Sequence, residues 1–157
     1  KMSIRQAVST DLETVKNISE ATISEIYPHY YPPGAVEFFL EHHNETNILS
    51  DIGQNMVFLC LDAKEHIVGT VTIKNNEICR LFVLPQYQGN GYGKEMLGYA
   101  EKIVSREYTE IMLAASLPAK GLYLKRGYKD SDFHVIAAGN EDFLCYDVMK
   151  KSVKITG

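Results

Sequence analysis

The segment that most limits what this chain can fold into is Gln88-Gly89-Asn90-Gly91-Tyr92-Gly93, set between an apolar run ending at Val83-Leu84-Pro85 and an amphipathic stretch. Three glycines in five positions let the backbone take positive φ and approach a ligand closely. Met96, Leu97, Ala100, Ile103 and Val104 fall at helical spacing, so a helix is expected to start near Tyr92. Its first turn would carry free N–H donors and the positive end of the dipole. Strand, glycine loop and helix together form an anion site, whose usual occupant is a pyrophosphate. The plainer alternative is a strand-to-helix turn that binds nothing. Two other phosphate loops do not fit. A dinucleotide fingerprint needs G-x-G-x-x-G and an acid about 20 residues on, but the glycines at 89, 91 and 93 are wrongly spaced. A P-loop needs Lys followed by Ser or Thr, whereas Lys94 is followed by Glu95.

The rest of the chain supplies a sheet and helices around this turn. Residues 4–8 read as a first strand, and Thr10-Asp11-Leu12-Glu13 has the form of a capping box. That predicts a helix with Thr10 as its cap, running to about Tyr27 and ended by Pro28. A second helix is expected over residues 35–43, then a polar connection over 44–55. Apolar runs at 56–61, 67–73 and 77–84 read as three strands of an antiparallel meander. Alternation predicts a fifth strand at 111–115, and residues 118–125 read as a short helix with Gly127 at its C-terminal cap. Strands at 133–137 and 143–149 close the chain. This order, β-α-α-β-β-β-α-β-α-β-β, predicts an α/β fold with a mixed sheet and helices on both faces.

At 157 residues, the chain is expected to form one domain over 1–157 with a core that needs no staples. Its net charge of −4 argues against a duplex nucleic-acid partner, which surplus Lys and Arg would hold. Cys60, Cys79 and Cys145 are odd in number and far apart, so neither a disulfide framework nor a structural metal site is expected. No run approaches the roughly 20 apolar residues of a membrane span. The charged start at Lys1 lacks the apolar stretch of a signal peptide. A cytoplasmic location follows as an expectation.

Leu81-Phe82-Val83-Leu84-Pro85, the glycine hexapeptide and Met96-Leu97 together resemble motif A of the GNAT superfamily of N-acetyltransferases. Downstream, Ala119-Lys120-Gly121-Leu122-Tyr123-Leu124-Lys125-Arg126-Gly127-Tyr128 resembles the family's motif B. The motifs stand in the family's order with a strand between them, and the element order over 3–150 matches as well. The resemblance implies a mostly antiparallel central sheet whose fourth and fifth strands splay apart. It implies acetyl-CoA as co-substrate and acetyl transfer to a small-molecule or peptide amine, with a homodimer left open; the composition already leads us to expect no metal and neither nucleic acid nor membrane as partner.

By the same resemblance, the backbone amides of Gln88, Gly89, Asn90, Gly91, Tyr92, Gly93 and Lys94 hold the pyrophosphate, while the Lys94 side chain reads either as a phosphate contact or as a solvated residue. The pantetheine arm would lie between the splayed strands, against main-chain groups near Phe82 and Val83. Tyr123 is the candidate general acid for the departing sulfur; the alternative is an ordinary packed aromatic. Glu77, eleven positions before Gln88, stands where several members carry a base. Strand alternation sets it on one face with Cys79, Leu81 and Val83; the alternatives are an exposed carboxylate or a base made of water. Ser116 stands where members often have Asn, and reads as a pantetheine contact or a helix N-cap. Lys120 and Arg126 are candidates for the adenosine 3′-phosphate, with solvated surface favoured for Arg126. The acceptor site maps to Tyr27, His29, Tyr30 and Tyr31, which read either as a pocket or as a tyrosine-packed proline corner. His134 and Asp147 are lesser candidates. His42 and His43 are adjacent and do not share a helix face, so they make a poor metal pair. A non-catalytic acyl-CoA sensor on the same fold is the rival function. A toxin-like enzyme acting on charged tRNA is disfavoured by the net charge.

Overall fold

The computed structural model describes residues 1–156. The apolar runs become seven strands: β1 (Ser3–Gln6), β2 (Val57–Leu61), β3 (Ile67–Lys74), β4 (Glu77–Val83), β5 (Glu110–Ala115), β6 (Lys129–Ala137) and β7 (Phe143–Ser152). They form one sheet in the order β1-β2-β3-β4-β5-β7-β6. Every neighbouring pair is antiparallel except β4 and β5. That parallel pair touches in register only at Glu77 and Met112, where the Met112 amide donates to the Asn76 carbonyl at 3.0 Å. Beyond that point the strands diverge, as the resemblance implies. β5 then pairs along its whole length with β7, so the gap opens on one side only.

Helices α1 (Leu12–Ile26), α2 (Pro33–His42) and α3 (Glu45–Gly53) cover one face; α4 (Tyr92–Val104) and α5 (Leu117–Lys125) cover the other. Each face buries its own core. Met96, Leu97, Ala100, Ile111 and Leu113 fill the α4 side, and Val15, Ile18, Ile23, Ile48 and Leu59 fill the other.

Several boundaries differ from expectation for local reasons. Thr10 does not cap α1: it lies inside a 3-10 turn, Ser9–Asp11. The Asp11 carboxylate instead accepts from the Val8 amide at 2.8 Å and binds both terminal nitrogens of Arg5 at 2.8 and 3.0 Å. The polar connection before the sheet is helical. Asn44 caps α3 by accepting from the Asn47 amide at 2.9 Å, and Ile48 and Ile52, one turn apart, are buried. β6 starts at Lys129, ahead of its expected start, because an outer strand exposed almost throughout carries no alternation to read.

The consequential difference is in β4. Thr70 pairs with Phe82 but Thr72 pairs with Cys79, so Arg80 and Leu81 together oppose Val71. This is a β-bulge, and Arg80 sits in it at φ 49. It breaks the expected face. Ile78, Leu81 and Val83 pack toward α4, whereas Phe82 packs toward α1–α3. Cys79, paired with Thr72, shares that second side with Arg80, whose Nη1 donates to Thr72 Oγ1 at 2.8 Å. Glu77 and Cys79 therefore do not share a face with Leu81 and Val83.

Candidate active site

Loop 88–93 is braced from within. Gln88 Nε2 donates to the Val83 carbonyl at 3.0 Å, and Asn90 Nδ2 donates to the Tyr87 carbonyl at 3.0 Å. Gly89 and Gly91 take φ of 81 and 85, a region where a side chain would be strained. The amide of Glu95 is the first to bond back, to the Gly91 carbonyl at 3.1 Å. Among the described residues, the amides of Gly89 through Lys94 donate to no protein acceptor. All of these residues but Asn90 line a cavity of about 290 Å³ that runs along the β4–β5 gap between α1 and α5. Gln88, Gly89, Gly91, Tyr92, Gly93 and Lys94 line it, as do Phe82, Val83 and Ser116.

The main-chain groups facing the gap follow from strand phase. The Leu84 amide donates to the Val68 carbonyl at 2.9 Å. Alternation then turns the main chain of Leu84 and Phe82 toward β3 and that of Leu81 and Val83 toward the gap. Phe82 consequently offers its ring rather than its peptide groups. The Val83 carbonyl already accepts from Gln88, and from Thr22 Oγ1 at 3.3 Å.

A second cavity, of about 270 Å³, continues the cleft on the α2 side and shares Tyr27, Leu81, Phe82 and Ser116 with the first. Glu77, Cys79 and Tyr123 line it. Tyr123 is 5% exposed, and its ring packs 5.8 Å from that of Tyr128. Its hydroxyl makes no hydrogen bond to the described residues and is not sealed off, so it opens to the cavity. Burial, with help from Tyr27 and Cys79, raises its pKa well above the ordinary tyrosine value, so it stays a donor. Burial foremost, then Glu77, pushes the Cys79 thiol up to about 11. Glu77 itself has no ion-pair or hydrogen-bond partner among the described residues and is half-buried.

Arg80 lies beneath this cavity. Its Nη2 donates to Asp51 Oδ2 at 2.9 Å and its Nε to His43 Nδ1 at 3.2 Å, beside the Thr72 bond. Lys74 Nζ lies 3.1 Å from the other Asp51 oxygen. The acid thus comes from α3 and pins the bulge from the side. Burial foremost, and then Arg80, pushes His43 down to about 3, so its ring is neutral and accepts at Nδ1. Burial lowers His42 as well, again with Arg80 second.

The tyrosine corner divides. Tyr27 is buried at the seam of the two cavities, its ring 6.2 Å from Phe82, and burial pushes its hydroxyl up to about 12 against the opposing pull of Ser116. Tyr31 is buried too, but its hydroxyl accepts from the Leu117 amide at 2.7 Å and so secures the start of α5. Ser116 occupies the N-cap position without making a side-chain cap bond; its hydroxyl instead lies against that of Tyr27 at the seam. His29 and Tyr30 are exposed and line neither cavity, because the 3-10 turn Tyr27–His29 carries them outward. Lys120 also leaves the expected site: it pairs with Asp147 at 2.5 Å and Asp130 at 3.0 Å, tying α5 to the β6–β7 hairpin. Arg126 is engaged by Glu101. His134 stacks on Tyr146 at 5.2 Å.

Sequence reasoning misses Phe38, Phe39, Arg80 and Tyr146, which line the second cavity. Only the apolar spacing of α2 hints at any of them. No three His, Cys, Asp or Glu side chains cluster as metal ligands among the described residues, and no helix is long and apolar enough to cross a membrane.

The chain is similar to known proteins over most of its length. The family description "Acetyltransferase (GNAT) domain" matches residues 26–144. An N-alpha-acetyltransferase of Sulfurisphaera tokodaii is 25% identical over 164 residues, covering 90% of this chain and 89% of that protein. A GCN5-related N-acetyltransferase of Rhodopseudomonas palustris superposes with a TM-score of 0.86 at 21% identity, over 96% of this chain and 95% of that one. The PaiA N-acetyltransferase of Thermoplasma acidophilum, solved with coenzyme A, superposes with a TM-score of 0.72 at 23% identity, over 98% and 99%.

Proposed function

The chain belongs to the GNAT acetyltransferase family, and from that premise we propose that it moves acetyl from acetyl-CoA to a primary amine by direct attack. The unpaired amides of Gly89 through Lys94 carry the reading. A row of donors at a helix start, left unsatisfied by the protein, fits a diphosphate. The pantetheine arm would then run up the β4–β5 gap toward Tyr27, Phe82 and Ser116, where the cavities join. The PaiA relative solved with coenzyme A supports the same co-substrate.

The chemistry follows from what surrounds that junction. An amine reaches the second cavity as ammonium and gives its first proton to Glu77, which returns it to water. The nitrogen attacks the thioester carbonyl carbon and forms the C–N bond. A main-chain amide of Leu81 or Val83, turned toward the gap, would stabilise the oxyanion. When the intermediate collapses, the C–S bond breaks. The sulfur takes a proton by way of Tyr123, whose hydroxyl is refilled by the second proton leaving the nitrogen. Ammonium and acetyl-CoA thus give amide, coenzyme A thiol and one proton. The raised pKa of Tyr123 suits a group that must arrive protonated.

Thiol release from acetyl-CoA across a panel of primary amines tests this. One thiol per amide formed is the expected result. Tight binding of acetyl-CoA with no release for any amine would favour the acyl-CoA sensor instead.

A further inference from the structure

The charges of the second cavity narrow the acceptor. Resting on the acetyltransferase reading above, we propose that the acceptor is a small primary amine on an apolar, ring-bearing skeleton without a carboxylate, and that free α-amino acids are excluded.

Two observations carry it. The first is the inventory of ionic groups. Among the lining residues, Glu77 is the charged group without a partner. Arg80 is the lining cation, yet its side chain is 3% exposed and each guanidinium nitrogen is already committed, to Asp51, Thr72 and His43. His43 offers no charge either, since its Nδ1 accepts from Arg80, and His42, the other lining imidazole, stacks on Phe38 and is held below the ordinary histidine value by burial and then by Arg80. A carboxylate carried in beside the amine would meet a second carboxylate and no free cation, and desolvating it unpaired is unfavourable. An ammonium meets the opposite situation: one free carboxylate and aromatic faces that attract cations.

The second observation is the wall. Phe38 and Phe39 from α2, Tyr146 from the hairpin, and Tyr27 and Phe82, which also line the first cavity, supply five rings to the lining of the second. Tyr27 and Phe39 meet edge to face at 4.8 Å. α2 is locked onto the hairpin turn, because the Gly34 amide donates to Asp142 Oδ2 at 2.8 Å and a Cβ on Gly34 would stand 1.8 Å from the Gly139 carbonyl oxygen. A space of about 270 Å³ between fixed walls suits one ring and a short arm rather than an extended chain.

The test compares acceptors that differ in one group: 2-phenylethylamine, phenylalanine amide and phenylalanine, with spermidine and a C-terminally amidated tetrapeptide starting with Phe as further arms. Initial rates of thiol release from acetyl-CoA on the full chain give kcat/KM for each. Phenylethylamine is expected to exceed phenylalanine by at least about 100-fold, with the amide on the amine's side of the gap. Equal rates for amine and amino acid overturn the proposal while leaving the transferase intact. So does a preference for spermidine or for the tetrapeptide over the small amines. Acetyl-CoA binding with no turnover on any arm overturns the functional reading itself, and the proposal with it.

Discussion

The two ends of the cleft are made from different material. The phosphate end is main chain: six consecutive amides, two glycines at positive φ and a helix start, all within residues 88–95. The acceptor end is side chain: rings from α2 and β7, Tyr123 from α5 and the Glu77–Phe82 edge of β4, held by an ion pair that reaches to α3. A main-chain site is indifferent to which side chains surround it and fails when the backbone is forced. A side-chain site fails when its supporting partners are removed, even far from the reacting atoms. Substitutions at the two ends should therefore separate cleanly.

The largest effect is expected at the support of the acceptor end. Arg80→Met leaves the buried Asp51 carboxylate with Lys74 alone and removes the anchor of the bulge. Breaking a buried pair from one side costs about 3 kcal/mol or more, so the urea midpoint should fall accordingly. Turnover should fall further than stability explains, because the bulge sets which β4 groups face the acceptor. An Arg80→Met protein with parental stability and parental kcat would remove the ion pair from this account.

Next comes Tyr123→Phe. It deletes one oxygen from a packed ring and leaves the phosphate end untouched. A lost proton donor costs about 100-fold or more in kcat, while acetyl-CoA affinity by calorimetry should stay within about twofold. Because burial raises the Tyr123 pKa, the parental kcat should hold through pH 10, near where an ordinary tyrosine ionises. A basic limb well below pH 10 that Tyr123→Phe abolishes would contradict that.

The same division decides what the sequence makes legible. The phosphate end can be read because it is contiguous: glycine spacing, a preceding apolar run and helical periodicity lie within about twenty residues. The strands around it follow from apolar runs alone. The acceptor end is non-local. The bulge is a property of how β3 registers against β4, so alternation along β4 by itself assigns Glu77 and Cys79 to the wrong neighbours. α3 has Ile48 and Ile52 as its buried apolar face in a polar run, too few positions to register a period. Tyr27 and Tyr31 turn inward while His29 and Tyr30 turn out, a split set by a single 3-10 turn. Lys120 looks free until Asp147, twenty-seven residues later, returns beside it.

At the phosphate end, Gly91→Val probes the backbone itself. The added Cβ meets no protein atom within 4 Å, so packing is not what it disturbs. It does force a β-branched residue to φ near 85, and it stands in the open space above the free amides. Strain of this kind costs about 1–3 kcal/mol. Coenzyme A should bind about tenfold more weakly, with kcat at saturation reduced much less. Unaltered affinity would move the diphosphate away from this loop.

Gln88→Ala should have the smallest effect, and it is the sharpest test of the comparison. Gln88 is the family-motif side chain of the loop, yet its amide nitrogen points back to the Val83 carbonyl. Removing it deletes one exposed hydrogen bond, worth about 1 kcal/mol, and leaves every free amide in place. Thr22 still donates to the same carbonyl at 3.3 Å. Coenzyme A affinity should therefore drop by no more than about threefold. If binding instead collapsed, a side chain rather than the main chain would be holding the phosphate, and the contrast between the two ends of the cleft would not stand.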